Sequence, residues 1–320
     1  MTVINTNTAS LLARDAIQRN DRAMSTAMER LSTGARINSA KDDAAGLAIA
    51  DRMAAQTSGL NMAVRNANDA ISLLQTVDGA AQEISNMLTR MYELAVQAAS
   101  GTYTSTDQGA LDLEFGELMK EIQDIAERTE WNGNSIMDAT YDGTTTSDTL
   151  KVQLGAEANQ TVAVRIKDWR PTISKDGEMA NATDTDYNGI DSADSAYNLA
   201  GTANGTEAGL YFNAGTEDTE RLVITSAATA AIAVKNLNNA IDGAARERAQ
   251  YGAYISRLQH AADNLQNVST NTAASKSQIS DADYAAETTE LARTQIISQA
   301  STAMLAQANQ VKQTVLSLLQ

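Results

Sequence analysis

The chain has 320 residues, a net charge of −16, no cysteine, one histidine, one proline and only 4% aromatic residues. That excludes disulfide staples and thiol chemistry, and it argues against one large globular core, which draws on more aromatic area. No run of about eighteen apolar residues is present, so no transmembrane helix is expected. MTVINTNTASLLARD also lacks the basic and apolar regions of a cleavable secretory signal.

The charge is unevenly placed. Residues 102–222 carry 23 acidic and 8 basic side chains, whereas residues 1–101 sum to −1 and residues 223–320 to zero. An acidic middle does not suit nucleic acid or an anionic membrane, and it suits a solvated surface that must not self-associate. Neutral ends suit burial.

The first element is an amphipathic helix over 5–33. Ile17, Met24 and Leu31 fall seven apart with Met28 between them, and Thr33-Gly34 supplies a stop. GARINSAKDD, residues 34–43, reads as a connector, with Asp42 and Asp43 as candidate N-caps for the next helix. From Ala44 to Ala99 the sequence is helical. Leu60, Ala67, Leu74, Ala81, Leu88 and Ala95 keep a seven-residue spacing, joined first by Val64 and Ile71 and then by Val77, Ile84 and Met91. Such a helix runs about 80 Å and needs partners along its length. Ser100-Gly101 ends it, and a second helix to Arg128 (Leu111, Phe115, Leu118, Ile122, Ile125) returns as an antiparallel hairpin.

From Glu130 to about Glu220 the texture turns to Gly, Thr, Asp and Asn. Leu150, Val152 and Leu154, then Val162, Val164 and Ile166, alternate around a turn-rich gap and predict a β-hairpin. A second strand pair is expected near 210–212 and 222–225. Helix resumes near Ser226 through Leu237, Ile241, Ala244, Tyr251, Ile255, Leu258, Ala262 and Leu265, with Arg248 as an intruder. Asn271–Gln278 reads as a second connector. The last rod carries Ile297, Met304, Val311 and Leu318 seven apart, with Ser280 and Asp283 placed as a capping box. Its other face is Gln, Ser, Thr and Asn with almost no charge. A dimer tail and an assembly surface covered by other subunits both fit that pattern.

The expected fold is mainly α, with long heptad-patterned helices in an elongated coiled-coil bundle and a β-hairpin-containing, solvent-facing middle. Its parts are a rod at 1–33, a connector at 34–43, a bundle segment at 44–170, an outer segment at 171–224, a return helix at 225–270, a connector at 271–280 and a rod at 281–320. First and last helices are expected to pair, as are the long inner ones.

No catalytic constellation is found. His260 sits mid-helix and reads as structural, no HExxH or phosphate loop occurs, and the methionines at helical spacing read as core. One local pattern points to a ligand. Asp184, Asp186, Asn188 and Ile190 have the early spacing of an EF-hand calcium loop, with Gly189 at the sixth position and Ser195 where Glu would stand. The plain alternative is a solvated, turn-forming Asp/Asn tract. Calcium is therefore a candidate ligand, and no cofactor is required.

ERLSTGARINSAKDDAAGLAIADRM (Glu29–Met53), RNANDAISLLQTVDGA (Arg65–Ala80), RMYELAVQAASGT (Arg90–Thr102) and ISDADYAAETTELARTQIISQASTAMLAQANQVKQTVLSLLQ (Ile279–Gln320) together resemble bacterial flagellin. The resemblance covers about the first 170 and last 95 residues. It implies a structural, non-enzymatic subunit that polymerises into the extracellular flagellar filament for motility. The terminal rods would form an inner coiled-coil domain, disordered in the free monomer, with assembly residues Ile17, Met24, Leu31, Ile297, Met304, Val311 and Leu318. The long helices would form an outer core domain. It further implies type III export without a cleaved signal peptide, an export chaperone, a cap protein, hook–filament junction proteins and host immune receptors as partners.

Glu29–Ala50 is similar to a segment sensed by plant receptors, and Arg90, Leu94 and Glu114 match helix residues contacted by a toll-like receptor. Tyr92 departs from the Arg usual there. The readings weighed against the filament subunit are a hook–filament junction protein and a surface homologue whose middle segment binds a ligand.

Overall fold

The computed structural model describes residues 7–137, 149–167, 169–171, 211–213 and 219–317. The order is α1 (Thr8–Thr33), α2 (Ala44–Ala99), α3 (Ser105–Arg128), β1 (Glu130–Trp131), β2 (Asn134–Ser135), β3 (Thr149–Gln153), β4 (Thr161–Arg165), β5 (Tyr211–Asn213), β6 (Thr219–Arg221), α4 (Ala227–Ser280) and α5 (Tyr284–Ser317). The fold is mainly α, as the heptad patterning predicts. Two compact units divide the chain: residues 1–58 with 267–320, and residues 59–266. The boundaries fall inside α2 and α4.

In the unit of residues 59–266, the long stripe of α2 is the core. Ala67, Leu74, Val77, Ala81, Ile84, Leu88, Met91 and Ala95 are fully buried. They cluster with Phe115, Met119 and Ile122 of α3 and with Leu237, Ala244, Tyr251 and Leu258 of α4. Burying each of the larger apolar side chains contributes about 1.5–3 kcal/mol, so this stripe dominates the unit's stability. Thr104 and Asp107 form a capping box that starts α3. At the head of α4, Ser226 and Thr229 exchange the same kind of bonds: the Thr229 N–H donates to Ser226 Oγ (3.2 Å) and the Ser226 N–H to Thr229 Oγ1 (3.1 Å).

Among the described residues, three antiparallel strand pairs complete the unit. The first turns on Asn132 and Gly133, both at positive φ (52° and 80°), the conformation that an Asn-Gly pair tolerates and that matches strand twist. The second, β3–β4, pairs Val152 with Val162 and Leu150 with Val164, as the alternation predicts. In the third, β6 lies at Thr219–Arg221, just ahead of the segment expected. The predicted face of the second hairpin lands in the core through Val152, Val164 and Ile166.

Buried polar groups tie these layers. Trp169 Nε1–H donates to Tyr251 Oη (3.0 Å), and the two rings lie 6.4 Å apart at 44°. Lys167 Nζ pairs with Glu247 at 2.7 Å, both side chains nearly excluded from solvent. Asp112 accepts the Ile224 N–H (2.9 Å), and Gln108 donates to the Ala98 carbonyl (2.8 Å). Arg248, the intruder in the α4 stripe, pairs with Asp78 of α2 at 2.8 Å. His260 is exposed on α4.

In the other unit, α1 pairs with α5. Gly34, at φ 71°, ends α1 with its N–H on the Arg30 carbonyl. Asp43 Oδ1 accepts the Gly46 N–H (2.9 Å) and caps α2. The connector expected at 271–280 is corrected. Those residues are the last turns of α4, and the break falls at 281–283. The tract is polar but holds no Gly or Pro, and its hydroxyls bond back along the helix, Ser275 Oγ to the Asn271 carbonyl among them. Asp283 is itself the N-cap of α5, accepting from the Ala285 and Ala286 N–H groups, so Ser280 plays no part in a box.

Candidate assembly interface

The α1–α5 pair is antiparallel, with a register fixed at three points. Asn7 Nδ2 donates to the Ala308 carbonyl (3.4 Å), Asn20 Nδ2 to the Thr294 carbonyl (2.7 Å), and Arg30 Nη1 pairs with Glu287 (2.9 Å). The Arg30 Nε–H is buried without an acceptor. On α1 the seam is Ala13, Ile17, Asn20, Met24, Ala27 and Leu31, of which Asn20 and Ala27 are buried and the rest half-buried. The predicted stripe Ile17, Met24 and Leu31 is therefore consumed along the hairpin.

On α5 the geometry differs from the heptad reading. The covered face is Leu291, Thr294, Ser298, Ser301, Leu305 and Ala308, with Thr294 only 2% exposed. At 100° per residue, Ile297 and Met304 lie roughly 60–80° around the helix from Thr294. They are 37% and 67% exposed. Val311 and Leu318, which continue that stripe in sequence, lie outside the described side chains. The last rod thus has two faces: a mixed one of Leu, Thr, Ser and Ala against α1, and an apolar flank that α1 leaves uncovered. The heptad count found the second, because Ser, Thr and Ala carry little hydropathy. The covered face was legible only as the 3, 4, 3, 4, 3 spacing from Leu291 to Ala308.

Further large apolar side chains of this hairpin are exposed: Leu11, Leu12 and Met28 on α1, Tyr284 and Ile296 on α5. So many exposed large apolar side chains on one helix pair suit surfaces that another chain covers.

The two connectors are joined. The Arg36 N–H donates to the Ser280 carbonyl (2.7 Å), the Ala282 N–H to the Gly34 carbonyl (2.9 Å), and Arg36 Nη2 to the Ile279 carbonyl (2.6 Å). Asp42 is held by the Ser39 hydroxyl and by the Ser39 and Asn38 N–H groups, and the Ser39 bond keeps its pKa below the usual carboxylate value. The Ser277 hydroxyl, with that of Ser280, does the same for Asp281. Sequence reasoning identified the first connector, placed the second about ten residues early, and did not find this junction. Asp42, Arg36 and Asp281 carry no individual signal of it.

Of Arg90, Leu94 and Glu114, the structure brings two to the surface together. Arg90 donates twice to Glu114 Oε1 (3.0 and 2.9 Å) and once to Glu93 (3.1 Å), and these bonds hold its guanidinium charged. Leu94 is corrected to a core residue, 1% exposed. Asp184, Asp186, Asn188 and Ile190 lie outside the described residues. Among the described residues, no three His, Cys, Asp or Glu side chains group as metal ligands, and no helix is long and apolar enough to cross a membrane.

Residues 4–142 match the family described as bacterial flagellin N-terminal helical region, and residues 234–319 match bacterial flagellin C-terminal helical region. Among curated proteins, the chain is 34% identical over 378 aligned positions to Flagellin D of Vibrio cholerae serotype O1, covering 99% of each. It is 35% identical to Flagellin D of Vibrio anguillarum and 34% identical to Polar flagellin F of Vibrio parahaemolyticus, again across 99% of each chain. Among solved structures, a crystal structure of Bacillus cereus flagellin is 30% identical over 66% of this chain and 94% of its own, with a TM-score of 0.43.

Proposed function

The chain belongs to the bacterial flagellins, and we propose that the uncovered apolar face of its α1–α5 hairpin is the surface through which subunits polymerise. As a flagellin it is a structural subunit of the extracellular flagellar filament, serving motility, and not an enzyme. The observation that supports the assigned surface is the exposed apolar set of Leu11, Leu12, Met28, Tyr284, Ile296, Ile297 and Met304 on helices whose described side chains are buried only at Asn20, Ala27 and Thr294. The larger apolar residues of that seam, Ile17, Met24, Leu31, Leu291 and Leu305, are only half-buried, so the free hairpin is weakly held. Burial of Ile and Met between subunits supplies the missing apolar term.

The assembly residues on α1 then act inside the subunit, and those of the Ile297 and Met304 stripe act between subunits. The same terminal segment is the proposed site for an export chaperone, which would cover the apolar stripe before assembly. Export without signal cleavage, capping and junction contacts belong to this reading as well. For host receptors, Arg90 and Glu114 are the proposed contacts, with Leu94 supporting them from below.

Purified protein taken through salt-induced polymerisation and viewed by electron microscopy tests the reading. Filaments are expected from the full chain and none from a chain lacking residues 281–320. A truncated chain that polymerises as well as the full one overturns the assigned surface.

A further inference from the structure

We propose that Met304 is an oxidation site that controls subunit addition: its thioether, converted to the sulfoxide, excludes the subunit from the filament. The inference rests on the assembly surface assigned above and concerns its regulation. The chain holds no cysteine, so its eleven methionines are its only sulfur. They fall into distinct environments. Met91, Met119 and Met137 are sealed in the core of the unit of residues 59–266, Met28 and Met62 are 46% and 45% exposed, and Met304 is 67% exposed, on a flank of α5 that α1 leaves uncovered.

Thioether oxidation follows exposure, so the subunit not yet covered by a neighbour is the form that a peroxide reaches. A peroxide transfers one oxygen to sulfur: the S–O bond forms, the O–O bond breaks, sulfur loses two electrons, and the peroxide's other oxygen leaves as water. The product carries a strong acceptor where the thioether had none. Buried against a neighbour's apolar side chains, an unpaired acceptor of this kind disfavours association. A dithiol-dependent reductase reverses the step, releasing the oxygen as water and leaving a disulfide on the reductase.

The site is open in the free subunit and closed once a neighbour covers it. Oxidation therefore acts on subunits awaiting addition and spares those already in place.

The test is a partition experiment on the full chain. Monomer is treated with hydrogen peroxide until Met304 is partly oxidised, then polymerised and sedimented, and each fraction is read by peptide mass spectrometry. Met304 sulfoxide is expected to be enriched on the order of tenfold in the supernatant, and reductase treatment to return that protein to the pellet. In preformed filaments the same peroxide dose is expected to leave Met304 reduced.

Equal partition of Met304 sulfoxide between fractions overturns the proposal. So does a Met304→Leu chain whose polymerisation falls after peroxide as far as the wild type's, since another methionine would then carry the effect. If untreated wild type forms no filaments, the assembly reading has failed and this one falls with it.

Discussion

Asn20 and Thr294 stand 274 positions apart in sequence, yet the amide of one donates to the main-chain carbonyl of the other at 2.7 Å, with both residues buried. A neutral amide between Ile17 and Met24 in the seam sets register as much as stability, because a slip of one turn leaves its N–H unpaired in a dry place. Asn20→Ala is expected to weaken the hairpin by about 1 kcal/mol, the usual net worth of such a bond. Hydrogen exchange over residues 288–300 is expected to quicken, with the peptides of residues 70–98 unchanged. Unchanged exchange in 288–300 would show that the bond carries no register information.

Neighbouring positions on α5 are expected to fail in different ways. Leu305 is half-buried on the face toward α1, and Met304 is exposed beside it. Leu305→Asp puts a charge into the seam and should open the hairpin, seen as lost exchange protection in α1 and α5 of the monomer. Met304→Asp should leave monomer protection as it was and abolish filament formation in sedimentation. If Met304→Asp polymerises normally, the outward stripe is not an interface.

Acid should loosen the connector junction before the core. The folded pKa values of Asp42 and Asp281 lie below the ordinary 3.8, held there by the hydroxyls of Ser39 and Ser277. A depressed carboxylate contributes its full stabilisation above the unfolded value and loses it as pH falls through the lower, folded one. Peptides covering 34–43 and 279–284 are expected to keep their protection at pH 5 and lose it below pH 3.8, after correction for intrinsic exchange. Protection that persists through that range would mean the carboxylates do not hold the junction.

The Trp169–Tyr251 bond gives a sharper stability test. Burial pushes the Tyr251 hydroxyl far above its ordinary pKa, so it stays a neutral group able to accept from Trp169. Tyr251→Phe leaves a buried indole N–H without its acceptor, at a cost of about 1–3 kcal/mol in urea unfolding followed by near-ultraviolet circular dichroism. Tyr254, whose hydroxyl takes an exposed bond from Gln250, serves as the control. Tyr254→Phe is expected to change stability by less than about 0.5 kcal/mol. Equal effects of the two substitutions would remove the special status of the buried pair.

Legibility of the sequence followed side-chain size. The α2 stripe from Leu60 to Ala95 and the alternation of Val152 with Val164 mapped directly onto buried positions, because large apolar residues at fixed period leave few alternative packings. The Asn132-Gly133 turn had its signal in plain view, a dipeptide at positive φ between Trp131 and Asn134. The α1–α5 seam was harder. Besides Leu291 and Leu305, its covered residues on α5 are Thr294, Ser298, Ser301 and Ala308, which read as solvent-facing until the opposite helix is known. Asn271–Gln278 misled for the same reason: polarity there signals exposure on a helix, not its end.

The pairing of α1 with α5 also has a consequence for protein quality. Residues Asn7 to Arg30 are made long before their partners Glu287 to Ala308. A product cut short by a stalled ribosome, or clipped anywhere along α5, carries an N-terminal helix with no counterpart. It can have an intact α2–α3–α4 core and still present no two-helix surface to a growing end. On the proposed assembly surface, the hairpin would act as a check that both helices are present, and a chain that lost either is expected not to add to the polymer.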